Sequence, residues 1–170
     1  MPPRRRRVVD PAAALLEAYA ASARINQYLV ERLPAAIWRV PPPGGGKRTI
    51  AALVAHLHNC GLRYLERTDP KGVPGELDRV RVTAVQAARA LGAKGRAVVR
   101  IVGAAIKDGR RIAGFPHPAA HYLVYYMSHD AHHRGQIVQI ARQLGHPISQ
   151  QTMIGMWQWP RRAEELGARG

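Results

Sequence analysis

The chain has 170 residues, enough for one domain with a sizeable core, and 46% of them are hydrophobic, an ordinary share for a globular protein. Its formal net charge is +15, and its single cysteine, Cys60, excludes an internal disulfide framework. No apolar run approaches the roughly 18 residues of a membrane span, so no membrane partner is expected.

The N-terminus reads Met1-Pro2-Pro3-Arg4-Arg5-Arg6-Arg7, and no apolar stretch follows the arginines. A secretory signal is therefore not expected, and with one cysteine the expected compartment is the cytoplasm. Residues 1–9 are expected as a disordered Arg-rich tail, 10–160 as the folded unit and 161–170 as a flexible tail. The two tails carry Arg4 to Arg7, Arg161, Arg162 and Arg169, and residues 8–160 still hold a net charge of +10. The remaining arginines are scattered along the chain. That pattern points to a solvated basic surface with non-specific polyanion affinity rather than to a specific nucleic-acid partner.

The first predicted helix runs from about Asp10 to Arg32. Asp10-Pro11 reads as N-cap and first helical position, and Leu15, Leu16, Tyr19, Ile25, Tyr28 and Leu29 recur near a 3.6-residue period. Pro34 closes it, and Pro41-Pro42-Pro43-Gly44-Gly45-Gly46 is a loop. A second helix is expected from Thr49 to about Thr68, with Ile50, Leu53, Val54, Leu57 and Leu62 on its apolar side. Residues 69–75 form a second breaker cluster. A third helix is expected over about Val82 to Lys107, weakened at its centre by Gly92, Gly95 and Gly103. The fourth starts after Pro118 and reaches Leu144, where Gly145 and Pro147 stop it. No alternating pattern longer than four residues survives, so the fold class is all-α, a four-helix bundle. The aromatic stretch Met153 to Pro160 is expected to pack over one bundle end or to form a dimer contact.

The fourth helix carries Ser128-His129-Asp130-Ala131-His132-His133-Arg134-Gly135-Gln136. His129 and His133 are four apart and share one helix face, a spacing at which two imidazoles can hold one metal ion. A third ligand is available in Ala55-His56-Leu57-His58-Asn59-Cys60. His56 and His58 point to different sides of a helix. The Leu53 and Leu57 stripe brackets His56, which is therefore favoured, with His58 as the alternative. Three neutral imidazoles leave one coordination position open for chemistry. Zinc is the first expectation, and nickel or iron suits the same ligands. Cys60 is expected as a small buried hydrophobe, with fourth ligand as its minor reading. His132 points off the ligand axis. His117, His121 and His146 are expected to be structural, and Tyr125, Tyr126 and Gln136 to offer hydrogen bonds behind the ligands. A ferritin-like di-iron site is excluded, because no glutamate has a histidine three residues later. A zincin site lacks its glutamate, since Asp130 follows His129.

At these residues the chain resembles the DinB/YfiT-like family of bacterial four-helix-bundle metalloproteins. Thr49-Ile50-Ala51-Ala52-Leu53-Val54-Ala55-His56 is similar to its second-helix motif, a Ser or Thr followed seven residues later by the first ligand. The H-x-x-x-H pair followed by Arg134-Gly135-Gln136 resembles its fourth-helix motif, and Gly155-Met156-Trp157-Gln158-Trp159 resembles its ending. The resemblance implies an up-down-down-up bundle with a three-histidine site at His56, His129 and His133, and a homodimer. It also implies a thiol-dependent S-transferase, whose partners are a low-molecular-weight thiol and an electrophile. Arg63 and Arg134 are candidates to hold the thiol's carboxylate or sugar. Two alternatives stand beside this: hydrolysis by metal-bound hydroxide, and a non-catalytic scaffold or polyanion binder. Hydrolysis is disfavoured because Asp130 faces about 100° away from its neighbouring ligand.

Overall fold

The computed structural model describes residues 10–46 and 48–167; the Arg-rich segment 1–9 lies outside them. Among the described residues the chain is all-α, with seven α-helices, one 3-10 turn and no strand. The helices are α1 (Pro11–Val30), α2 (Ile50–Asn59), α3 (Leu62–Thr68), α4 (Ala84–Lys107), α5 (Ala119–Gln143), α6 (Gln150–Met156) and α7 (Trp159–Gly167). The bundle is made by α1, α2, α4 and α5, with α4 and α5 each packed against both α1 and α2.

The helix ends follow from local chemistry. Asp10 Oδ1 accepts from the Ala12 amide at 2.9 Å, with Pro11 behind it, so α1 starts where the sequence places it. At α4, Thr83 and Gln86 form a reciprocal capping box. At the end of α5 the Gly145 amide donates to Arg142 and the His146 amide to Ala141, the paired bonds of a Schellman stop, with Gly145 at φ 80°.

Two sequence expectations are corrected. The second helix is not continuous to Thr68 but breaks between α2 and α3. Cys60 leaves the helix at ψ 124° and Gly61 turns left-handed at φ 87°. The residues expected as a flexible tail from 161 are helical as far as 167. Arg161 and Arg162 both pair with Glu165, and the buried Arg162 and Leu166 dock α7 along α1. The glycines at the centre of α4 also find their reason here. A Cβ on Gly95 would lie 2.9 Å from that of Ala23 and 3.3 Å from Leu166, so α4 meets α1 and α7 at a contact that only a small residue allows. The loss of helix propensity at Gly95 is the cost of that close packing.

The core divides into two ends. One gathers α2, the start of α4 and the end of α5 around Leu53, Leu57, Leu91 and Ile137. The other gathers α3, the later part of α4 and the start of α5 around Leu62, Leu65, Ile101, Tyr122 and Tyr126. The α2–α3 break lies where these two ends meet. The long 69–83 loop is tied to the end of α2. Asn59 Nδ2 donates to the Leu77 carbonyl at 2.9 Å, and Asn59 Oδ1 accepts from the Leu77 amide at 2.8 Å.

Candidate metal centre

Three imidazoles converge at the α2–α5 contact. His56 sits in the last turn of α2, and His129 and His133 lie one turn apart on α5. Their ring centroids are 5.2 Å (His56–His129), 4.7 Å (His56–His133) and 4.6 Å (His129–His133) apart. The Nε2 atoms of His56 and His129 approach to 3.3 Å. Two nitrogens at 2.0–2.1 Å from one tetrahedral ion would be separated by about 3.3 Å, so this pair already stands at ligand spacing.

The outward nitrogens of the α5 pair are engaged. His133 Nδ1 lies 2.7 Å from Gln136 Oε1, which accepts, so the lone pair of this ring is on Nε2. His129 Nδ1 donates to Asp130 Oδ1 at 3.1 Å. Asp130 is buried, and its Oδ2 accepts from Asn26 Nδ2 at 2.7 Å. Asn26 Oδ1 in turn accepts from Arg134 Nη1 at 2.7 Å. A carboxylate behind one ligand and an amide behind another fix ring orientation and raise donor strength, as is usual around bound metals.

Cys60 joins the cluster, at variance with its expected role as a plain core residue. It is half-buried, and His56, Cys60 and His129 can each bring a ligand atom within 4.8 Å of the others. Its place follows from two features: it comes four residues after His56, on the same helix face, and the helix ends on it. Lys94 of α4 holds that end. Its buried ammonium donates to the Leu57 carbonyl at 2.6 Å and the Cys60 carbonyl at 2.8 Å, two groups that the helix terminus leaves unpaired. Tyr122 Oη donates to the Gly61 carbonyl at 3.1 Å on the other side of the break.

The electrostatics divide the cluster, with proton loss favoured at His56, His133 and Cys60 and proton retention at His129. Burial, then the neighbouring His133 and His129, pushes the His56 imidazole down to about 4, so it is neutral across the physiological range. Burial also lowers His133. His129 is pushed up to about 9, chiefly by its hydrogen bond to Asp130 and then by the one to Cys60, and hydrogen bonding to His129 lowers the Cys60 thiol. A proton held between His129, Asp130 and Cys60 therefore occupies a place that suits a cation. The imidazoles of His56 and His129 and the Cys60 thiol, with ligand atoms within 4.8 Å of one another and the His133 ring beside them, make a nitrogen–sulfur donor set that suits a borderline-soft dication.

His58 is not part of the cluster: it is fully buried, with Nε2 2.9 Å from the Gly75 carbonyl. That geometry separates it from His56. His132 is exposed; its Nε2 lies 3.2 Å from Gln136 Nε2 and its ring packs edge-on to that of His133 at 5.0 Å, outside the converging set. Of the two arginines expected to bind the thiol, Arg63 lines a cleft of about 910 Å³ that opens on His56 and Cys60. Arg134 does not. It turns inward to Ser22 and Asn26 of α1, because the position after His133 on α5 faces α1 rather than the cleft. Asp130 corrects the expectation that it would face away. A short side chain next to His129 bends back to the Nδ1 side of that ring. Tyr126 is buried 5.8 Å from the His129 ring, whereas Tyr125 and His117 are exposed at the cleft. Sequence reasoning passed over Lys94 and Asn26. A lysine in an apolar helix stripe and an asparagine among core positions of α1 were the available signals.

No curated protein and no solved structure matches the chain significantly. The family model described as "DinB family" matches residues 9–162. With nearly the whole chain matched and the histidines of its second- and fourth-helix motifs brought together, the chain belongs to the DinB family.

Proposed function

We propose that the protein binds one divalent metal ion through His56, His129 and His133, and that it is a thiol-dependent S-transferase. The observation that carries this reading is the set of three converging imidazoles beside an open cleft, the two α5 rings held from behind by Asp130 and Gln136. Bound there, zinc, nickel or iron supplies Lewis acidity that keeps a coordinated thiol ionised at neutral pH. The chain's own residues do the rest. Asp130 and Gln136 orient the rings, and Lys94 fixes the helix end that sets His56 and Cys60. Arg63 offers a guanidinium fork at the cleft mouth to a carboxylate of the thiol. The thiol sulfur then forms a bond to an electrophilic carbon of the second substrate, whose leaving group departs with its electron pair. Low-molecular-weight thiols raise the thermal midpoint of the metal-loaded protein under this reading, and His133→Ala abolishes the response. Failure of every such thiol to shift the midpoint contradicts it.

The place of Cys60 favours one second reading, in which its thiolate is a fourth ligand and closes the site, leaving a metal-stabilised scaffold. Cobalt substitution separates the two. A closed site gives a thiolate-to-cobalt charge-transfer band without added thiol, lost in Cys60→Ser. An open site gives that band only when an external thiol is added. Hydrolysis has no such support: Asp130, the carboxylate nearest the ligands, is held by His129 and Asn26.

A further inference from the structure

We propose that the cleft beside His56 and Cys60 is built for a small planar organic dianion, held by Arg63, Arg67 and Arg79. This rests on the reading of that cleft as the substrate entrance. The three guanidiniums line it together, faced by one carboxylate, Glu76. Arg63 and Arg67 are four apart on α3 and so share a face, while Arg79 comes from the 69–83 loop that Asn59 anchors. Arg67 extends to the turn before α5: a Cβ on Gly114 would lie 3.2 Å from its Nη1. Arg79 acts through space on His56, and so does Arg48 from the start of α2.

What distinguishes these arginines is that three unpaired guanidiniums share one cleft; among the described residues Arg48, Arg81, Arg89, Arg96 and Arg142 also have no side-chain ion pair or hydrogen bond, but none of them lines it. Among the described residues, Arg63, Arg67 and Arg79 have neither an ion pair nor a hydrogen bond. Elsewhere Arg24, Arg100, Arg110, Arg161 and Arg162 each pair with a carboxylate, and Arg39 binds carbonyls. Three exposed guanidiniums around one concavity repel one another and concentrate anions there. Each also offers a fork that fits a carboxylate or phosphate with two parallel bonds. Aromatic rings line the same cleft. Phe115 packs edge-on to Tyr64 at 5.9 Å and to Tyr125 at 6.1 Å, and Tyr125 to Tyr126 at 5.1 Å. Tyr125 is 56% exposed, leaving ring surface for a flat, unsaturated body to lie on. The ligand chemistry is then an anionic head of two carboxylates or one phosphate on a conjugated frame, with its body directed at the cysteine–histidine cluster.

Calorimetric titration of the metal-loaded full chain with phthalate, phenyl phosphate and benzyl alcohol tests this. At least one dianion should bind, and benzyl alcohol should not. Replacing all three residues (Arg63→Gln, Arg67→Gln, Arg79→Gln) should weaken the dianion about tenfold or more. The same charge change outside the cleft (Arg81→Gln, Arg89→Gln, Arg142→Gln) should stay within about twofold, since long-range attraction alone is screened. Tighter phthalate marks a dicarboxylic acid and tighter phenyl phosphate a phosphate ester; either supports the inference. Equal binding of benzyl alcohol, or undiminished dianion affinity in the cleft variant, overturns it. The titration is repeated on His129→Ala. Metal lost there with dianion binding kept upholds the metal ligand and shows the arginine site to be independent of the ion; metal retained in full overturns the metal reading, and dianion binding lost together with the metal assigns the anion to the ion and overturns the arginine site.

Discussion

Gly61→Ala is the perturbation most directly set by the backbone around the site. Gly61 stands at φ 87°, and adding a methyl group in that conformation costs about 1 kcal/mol. The new Cβ would lie 2.6 Å from Tyr126 Cζ and Oη and 2.7 Å from Tyr122 Oη. Both tyrosines are buried in the core beneath α3, so they cannot step aside freely, and overpacking of this kind costs about 1–3 kcal/mol. Displacing Tyr122 also strains its hydrogen bond to the Gly61 carbonyl, worth about 1 kcal/mol. Together these give roughly 3–5 kcal/mol, a large part of the stability of an ordinary domain. Urea unfolding of the metal-free protein, followed by far-UV circular dichroism, measures it. Removing both hydroxyls (Tyr122→Phe, Tyr126→Phe) in the same chain should lessen the added cost of Gly61→Ala by about 1–2 kcal/mol, since two of the three nearest atoms are gone while the ring carbon Cζ of residue 126 stays. A loss below about 1 kcal/mol, or no relief in the Phe background, would refute the claim that Gly61 is required for the break that sets Cys60.

Asp130→Asn removes the charge behind His129 while keeping shape, and should weaken zinc about 10- to 100-fold in a competition assay with a chromogenic chelator; an unchanged affinity contradicts the role assigned to the carboxylate. In metal-free protein, His129 is raised to about 9, so its interactions contribute stability that is fully present below the unfolded value near 6.5 and lost as the pH rises through 9. His56, pushed down to about 4, acts oppositely: its contribution is present above about 6.5 and lost as the pH falls through 4. Thermal midpoints in chelator should thus decline on both sides, with His129→Gln flattening the alkaline arm; an unaltered arm argues against the assignment. Leu166→Ala should cost about 2–3 kcal/mol in urea unfolding, because Leu166 is buried against α1 and α4. A neutral result there would mean that residues after 160 behave as a loose tail.

The fold was largely legible because its signals are local. Asp10-Pro11, Thr83 and Gly145 mark helix ends through caps that need only a few neighbouring residues. The α2–α3 break was not, because a lone glycine inside an apolar period reads as a small penalty; what makes it a break is contact with Tyr122 and Tyr126, some sixty residues away. Helix α7 was missed for a related reason. Its arginines read as tail charges until Glu165 and the face of α1 supply their partners. At the site, the i, i+4 pair on α5 and the apolar bracket around His56 pointed to residues that the fold brings together. Arg134 and Asp130 were misplaced because helix phase alone cannot say which neighbouring helix a side chain meets or how far a short carboxylate folds back. Cys60 was undervalued because its role depends on the helix ending under it.

The central claim, a metal held by His56, His129 and His133, is tested most directly by metal analysis of protein prepared without a histidine tag. The account predicts close to one zinc, nickel or iron ion per chain, sharply reduced in each of His56→Ala, His129→Ala and His133→Ala and unchanged in His132→Ala. Trace metal in the unaltered protein, or metal retained in full when His129 is replaced, would contradict it.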